Sequence, residues 1–218
     1  MSESIDINRI VINDSSIQKR SKPCNYLFSN EKEITTKEEE DNKLKLVEVI
    51  SESLKDICDK NESESRNLNL NIQKPFTTKA TPDITIKDYL ERLTKFTKME
   101  ESTLILTLIY IDRIGNYTNF QLTYKNIYKL ILASVFVAIK FNEDSHYSID
   151  TYAKIGRVSR SELAYLEFHF LIIINFDLNV DKHLYNQYSE SLKSFQDDYS
   201  EEIEEIEDDD EKEEDNKQ

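Results

Sequence analysis

The segment from Ile127 to Phe141 constrains the fold more than any other stretch of the chain. Ile127, Leu130, Ile131, Leu132, Ala133, Val135, Phe136, Val137, Ala138, Ile139 and Phe141 leave almost no polar face. A helix that is apolar all round must be buried by other elements on every side. The pattern therefore predicts a central helix over about 125–142, inside a body able to surround it. The surrounding elements are expected to be helical too. With only 2 Gly and 3 Pro in 218 residues, the chain lacks the breakers that a β-rich fold needs for its turns. The expected class is all-α.

Apolar periodicity places the other helices. Leu44, Leu46, Val47, Ile50, Leu54, Ile57 and Cys58 mark an N-terminal helix over 43–58. After Thr81-Pro82-Asp83 breaks the chain, Thr85 and Asp88 read as a capping pair. The helix they open has Ile86, Tyr89, Leu90, Leu93 and Phe96 along one face. A second body helix runs from about Glu101, with Leu104, Ile105, Leu106, Leu108, Ile109, Tyr110 and Ile111 over most of its circumference. Its expected stop is Gly115, a natural C-terminal cap. The apolar helix is third, a short fourth spans Ser148 to Gly156, and a fifth begins at Ser159 with Glu162 as its capping-box partner. The fifth carries Leu163, Leu166, Phe170, Leu171 and Ile174, and Phe176 to Val180 closes the body. Leu184, Tyr188, Leu192 and Phe195 fit one more amphipathic helix over 182–196.

The organisation expected is a disordered arm over 1–42, a helix over 43–58 and an Asn- and Ser-rich linker over 59–75. A five-helix body over 76–181, the helix over 182–196 and an acidic disordered tail over 197–218 follow. The net charge of -15 sits mostly in the tail, where Asp197–Gln218 holds 14 acids against 2 lysines. The body is near neutral, which argues against nucleic-acid binding, since that needs cations to neutralise phosphates. The tail reads as a solvated charge run, or less directly as a docking segment for something basic.

Cys24 and Cys58 have no metal-site or disulfide spacing. His146, His169 and His183 are scattered, and no Gly-rich phosphate loop exists. No metal, cofactor or small ligand is expected. No secretory signal is visible at Met1–Asp6, and no run reaches the ~18–20 apolar residues that span a bilayer. The expected location is the nucleus or cytoplasm, without a membrane partner.

Periodicity alone does not name this body, but its motifs do. Leu106-Thr107-Leu108-Ile109-Tyr110-Ile111-Asp112-Arg113 resembles the end of the second helix of a cyclin box. Ala138-Ile139-Lys140-Phe141-Asn142-Glu143-Asp144 is similar to the Ala-x-Lys-Phe-x-x-Asp stretch that ends the third. Tyr152 to Gly156, followed by Glu162-Leu163, Leu166-Glu167 and Phe170-Leu171, looks like helices four and five. Thr81-Pro82-x-Ile84-Thr85-Ile86-x-Asp88-Tyr89-Leu90 resembles the opening specific to the phosphate-pathway (P/U) branch. The resemblance covers roughly Leu44 to Val180. It implies a five-helix cyclin box around a buried third helix, flanked by the two outer helices.

It also implies a function. Members of that family bind a cyclin-dependent kinase and switch it on, and have no catalysis of their own. For this branch the implied partner is a kinase of the phosphate-signalling or neuronal-type class, and the implied settings are phosphate or nutrient signalling and cell-cycle control. By resemblance, Lys140 and Glu167 are the paired residues that meet the kinase. Lys140 is also the one charge between Leu130 and Phe141, so it must be paired or reach the surface. The plain alternative is an internal ion pair that only orients two helices. Phe141, Phe168 and Phe170 could supply apolar area to the kinase, though most of them read as core; Phe168, off the Leu163/Leu166/Phe170 stripe, is the best anchor. Tyr110, Asp112 and Arg113 read as a structural clamp of the box, or as ordinary helix-end bonds. Asp88 is either the family's acidic position or a plain capping residue.

The chain departs from the family pattern at Arg157, where a second Gly is common, at Ala164, where Asn is common, and at Asp83, where many cyclins are basic. The last puts a standard substrate-docking patch on the first helix in doubt. A second box does not fit in the 38 residues after Val180. Two rival functions are a helical scaffold that binds without activating, and a helical enzyme. The enzyme would need clustered His, Cys, Asp or Glu at ligand spacing, which the sequence lacks.

Overall fold

A computed structural model describes residues 37–63, 70–118 and 120–196. Their regular structure is all helical, with no strand among them. The helices are α1 (Lys37–Ser63), α2 (Leu70–Gln73), α3 (Ile86–Thr97), α4 (Glu101–Tyr117), α5 (Ile127–Asn142), α6 (Ile149–Gly156) and α7 (Arg160–Ile173). A further helix, α8, covers 182–196.

The apolar segment is the central helix. From Ile127 to Ile139 every α5 residue except Lys129 is buried. It packs against α3, α4 and α7. Burying a Leu, Ile, Val or Phe side chain stabilises by roughly 1.5–3 kcal/mol, so this helix supplies a large part of the drive to fold. Its one small polar residue, Ser134, donates to the Thr107 carbonyl of α4 at 2.9 Å, so no hydroxyl is stranded in the core. Gly156, at the end of α6, lies so close to α5 that a Cβ there would overlap the end of the Leu132 side chain. Any larger residue must push Leu132 aside.

Caps define the helix starts. Thr85 Oγ1 accepts the Asp88 N–H of α3, and Ser159 Oγ accepts the Glu162 N–H of α7. Glu162 does not complete the expected box in the same way, since its carboxylate pairs with Lys129 of α5 at 2.7 Å. Arg157 caps α6 in the left-handed region, with φ 56°. That conformation costs a residue with a Cβ, which explains why glycine suits the position.

Several expected boundaries move. The second body helix passes through Gly115, whose φ is not positive, and ends at Thr118 instead. There both the Thr118 N–H and its hydroxyl donate to the Ile114 carbonyl, which satisfies the last turn without glycine. The third begins at Ile127, because Asn126 forms a turn with Thr123 and Gln121. Helix α1 extends beyond 43–58 at both ends. Residues 37–42 are polar and mostly charged, so helix here left no apolar period to read. Residues 59–63, expected as linker, stay helical and are fixed at long range. Asn61 Nδ2 donates to the Leu122 carbonyl at 3.0 Å, and the Tyr124 hydroxyl donates to Asp59 at 2.7 Å.

Two apolar residues expected on core stripes are exposed. On α3 the buried arc takes in Thr94 and Thr97 and leaves Phe96 at its rim. On α1, Leu44 lies outside the arc of Leu46, Val47 and Ile50. The expected linker also contains the short helix α2. Residues 1–36 of the expected arm, 64–69 of the linker and the tail over 197–218 lie outside the described residues.

Candidate functional site

The last turn of α5 and the middle of α7 form one exposed face. Lys140 sits in that last turn, where α5 leaves the core, and its ammonium pairs with Glu167 of α7. The ammonium also lies 5.1 Å from the centre of the Phe136 ring, a favourable cation–π placement. The Glu167 side chain is the less exposed partner, 18% against 41%. An ammonium has three N–H donors and a carboxylate about four acceptor sites, so a single ion pair leaves both with capacity. Phe141 and Phe168, each next to one member of the pair, are exposed at 50% and 56%.

Helix α7 explains how two apolar faces coexist. Leu163, Leu166 and Phe170 are fully buried against the body. Tyr165, Phe168 and Ile172 recur at helical spacing on another face and are exposed. His169 stacks on Tyr165 with ring centres 4.0 Å apart and meets Phe168 edge-on. Phe176 follows just beyond the helix, exposed and in the left-handed region at φ 55°. Tyr165, Ile172 and Phe176 were missed by the sequence reading. The signal available was the one that singled out Phe168, an apolar residue off the core stripe. Phe176 was expected to help close the body, and instead points its area to solvent. Phe170 is core, as its stripe required.

A second polar cluster lies at the end of α4 and faces inward. Arg113 donates to the Asp177 carbonyl at 2.7 Å and the Asn179 carbonyl at 2.8 Å, and lies 3.5 Å from the Asp177 carboxylate. The Tyr110 hydroxyl donates to the Leu178 carbonyl at 2.8 Å, and the Tyr117 hydroxyl to Asp177 at 2.7 Å. Together they pin the segment after α7 across α4. Asp112 accepts from the Tyr188 hydroxyl of α8 at 2.6 Å and from Asn116 at 3.0 Å. Burial raises the Asp112 carboxyl above its usual range, and the two hydrogen bonds work against that rise. Burial also pushes the Tyr110 phenol up to about 12.

The structure thus pairs Lys140 with Glu167, leaves their sequence neighbours Phe141 and Phe168 exposed, and gathers Tyr110, Asp112 and Arg113 at the end of α4. Asp88 stands apart from both. It is exposed in the first turn of α3, where its N–H meets Thr85 Oγ1 and its carboxylate suits the helix N-terminus. Among the described residues no three His, Cys, Asp or Glu side chains are grouped to hold a metal, and no helix is long and apolar enough to cross a membrane. Burial pushes the thiol of Cys58 up to about 12.

Comparison with known proteins decides the family. The cyclin family model matches residues 17–178, most of the chain. The chain belongs to the cyclin family. It is 32% identical over 152 residues to Cyclin-U4-1 of Arabidopsis thaliana, which covers 68% of this chain and 75% of that protein. It is 40% identical over 119 residues to Cyclin-U4-3 of the same plant, 53% of this chain and 54% of that protein. It is 33% identical over 135 residues to PHO85 cyclin-7 of Saccharomyces cerevisiae, 56% of this chain and 47% of that protein. The chain therefore spans about half the length of the last two. These relatives place this cyclin in the P/U-type branch that its motifs resemble, and the helices above form its all-α cyclin box. Cyclins are regulatory subunits rather than enzymes.

Proposed function

We propose that this cyclin binds a cyclin-dependent protein kinase through the α5–α7 face and activates it. The observation that carries the reading is the Lys140–Glu167 pair, set at the surface beside the exposed Phe141 and Phe168. A polar pair with spare hydrogen-bonding capacity, bordered by aromatic anchors, is how strong interfaces are commonly built. The pair grips the regulatory helix of the kinase and holds it inward. The kinase's own Lys–Glu pair then forms and positions the ATP phosphates. Activation is a population shift, because the cyclin binds the active shape better. Moving a kinase from about 1% to about 99% active takes roughly 5.5 kcal/mol of differential binding.

The partner proposed is of the phosphate-signalling or neuronal-type class, and the setting phosphate or nutrient signalling or cell-cycle control. Similarity to a yeast protein named as a PHO85 cyclin supports that choice. A near-neutral body supports a partner that is protein rather than nucleic acid. The place of action proposed is the nucleus or cytoplasm.

The test is an affinity pull-down with wild type and with the double variant Lys140→Ala/Glu167→Ala, followed by a kinase assay on the eluate. Wild type is expected to recover an active cyclin-dependent kinase. The double variant, still helical by circular dichroism, is expected to lose it. Recovery of an inactive kinase would leave a binding scaffold in place of an activator, and recovery of none would remove both.

A further inference from the structure

The Lys140–Glu167 face can be no better defined than the turn of α5 that presents it. That turn ends at Glu143, which occupies an unusual junction. Its backbone N–H closes α5 on the Ile139 carbonyl at 2.9 Å, and the chain then turns extended. Its side chain reaches across to the start of α4. There Glu143 Oε1 accepts the Glu100 N–H at 3.2 Å and the Thr103 hydroxyl at 2.8 Å. Helix α4 has no side-chain cap of its own, because its N-cap residue Glu100 makes none. One residue therefore ends α5 and caps α4.

The neighbours reinforce the corner. Lys43 of α1 donates to the Met99 carbonyl at 3.1 Å, one residue before Glu100. Asn142 ties the same turn of α5 to the Ala138 carbonyl at 2.8 Å. Burial raises the Glu143 carboxyl, while the Thr103 and Glu100 donors hold it down, as expected for a carboxylate kept in place by the bonds it accepts.

We propose that Glu143 is a positioning residue for the docking face: by capping α4 from the end of α5 it fixes the turn that presents Lys140 and Phe141. This rests on the docking reading above. Glu143 need not touch the partner. It acts through the direction in which the last turn leaves the core, and so through the placement of Lys140 against Glu167.

The test uses the full chain in four forms: wild type, Glu143→Ala, Glu143→Gln and Lys140→Ala. Affinity is measured for the cyclin-dependent kinase that wild type recovers, and amide hydrogen exchange is followed in the free protein. Glu143→Ala is expected to bind about tenfold more weakly, the equivalent of one lost charge-assisted hydrogen bond. Exchange should quicken at 140–143 and 100–103 and stay unchanged in the buried centre of α5. Glu143→Gln keeps an acceptor oxygen and is expected to return binding to within about threefold of wild type. Wild-type affinity in Glu143→Ala, or exchange that quickens equally throughout α5, would overturn the proposal. So would a Gln variant as weak as the Ala variant, since charge and not the cap would then matter. If Lys140→Ala binds as wild type does, the docking reading itself fails and takes this one with it. If Lys140→Ala is impaired and Glu143→Ala is not, only the role of Glu143 fails.

Discussion

The two polar clusters of this cyclin use similar residues in opposite ways. At the end of α4, Arg113 is mostly enclosed and gives its guanidinium to two backbone carbonyls of its own chain. At the end of α5, Lys140 stands exposed, with one carboxylate and one aromatic face as partners. Both cations follow long apolar stretches, and neither could remain inside them uncompensated. The difference lies in what each one faces. Arg113 points at a chain segment that crosses α4 and needs its carbonyls satisfied. Lys140 meets the Glu167 carboxylate and the Phe136 ring, with 41% of its side chain left exposed. The first cluster closes the fold, and the second stays open to solvent on the side of Lys140.

That contrast predicts which substitutions unfold the protein and which spare it. Arg113→Ala should have the largest effect, about 3 kcal/mol of lost stability in urea denaturation, because it strands two partly buried carbonyls and removes the cation beside the Asp177 carboxylate. A loss below about 1 kcal/mol would show that the clamp is not what holds the 177–179 segment.

A smaller effect separates charge from hydrogen bonding within the same cluster. Burial raises the folded-state pKa of Asp112 above the unfolded 3.8, so the native state keeps that proton to higher pH than the unfolded chain does. The contribution of Asp112 to stability therefore falls as pH rises from 3.8 through its raised value, and is constant above it. Asp112→Asn keeps an acceptor for the Tyr188 hydroxyl and cannot ionise. It should gain stability relative to wild type across that window. Parallel stability–pH curves for the two proteins would sink the assignment.

The smallest effect belongs to the exposed pair. Lys140→Ala should change folding stability by no more than about 1 kcal/mol, because its ammonium stays largely in water even though Glu167 is mostly enclosed. A loss of about 2 kcal/mol or more would make the pair a structural clamp like that of Arg113 and erase the contrast.

Much of this was legible in the chain, and the rest fails for identifiable reasons. The apolar run of α5 announced a buried helix, and Thr85 and Ser159 marked helix starts correctly because capping is local chemistry. Gly115 misled because the stop it implies was overridden by Thr118, whose hydroxyl does the same work. Residues 37–42 and 59–63 were invisible to periodicity, since a solvated or tethered turn needs no apolar stripe. Phe168 could be picked out as an off-stripe aromatic. Tyr165, Ile172 and Phe176 carried the same kind of signal, but only the packed position of α7 shows that their face is uncovered.

By itself the sequence determined the helical class, the central place of α5 and the family, since periodicity, capping and motif spacing are properties of neighbouring residues. Only the tertiary structure decided which polar residues turn inward and which stay open. Asp112 meets Tyr188, Glu143 meets Glu100 and Lys140 meets Glu167 across dozens of residues. Such meetings are set by how helices pack around a common core, and no local pattern along the chain encodes them.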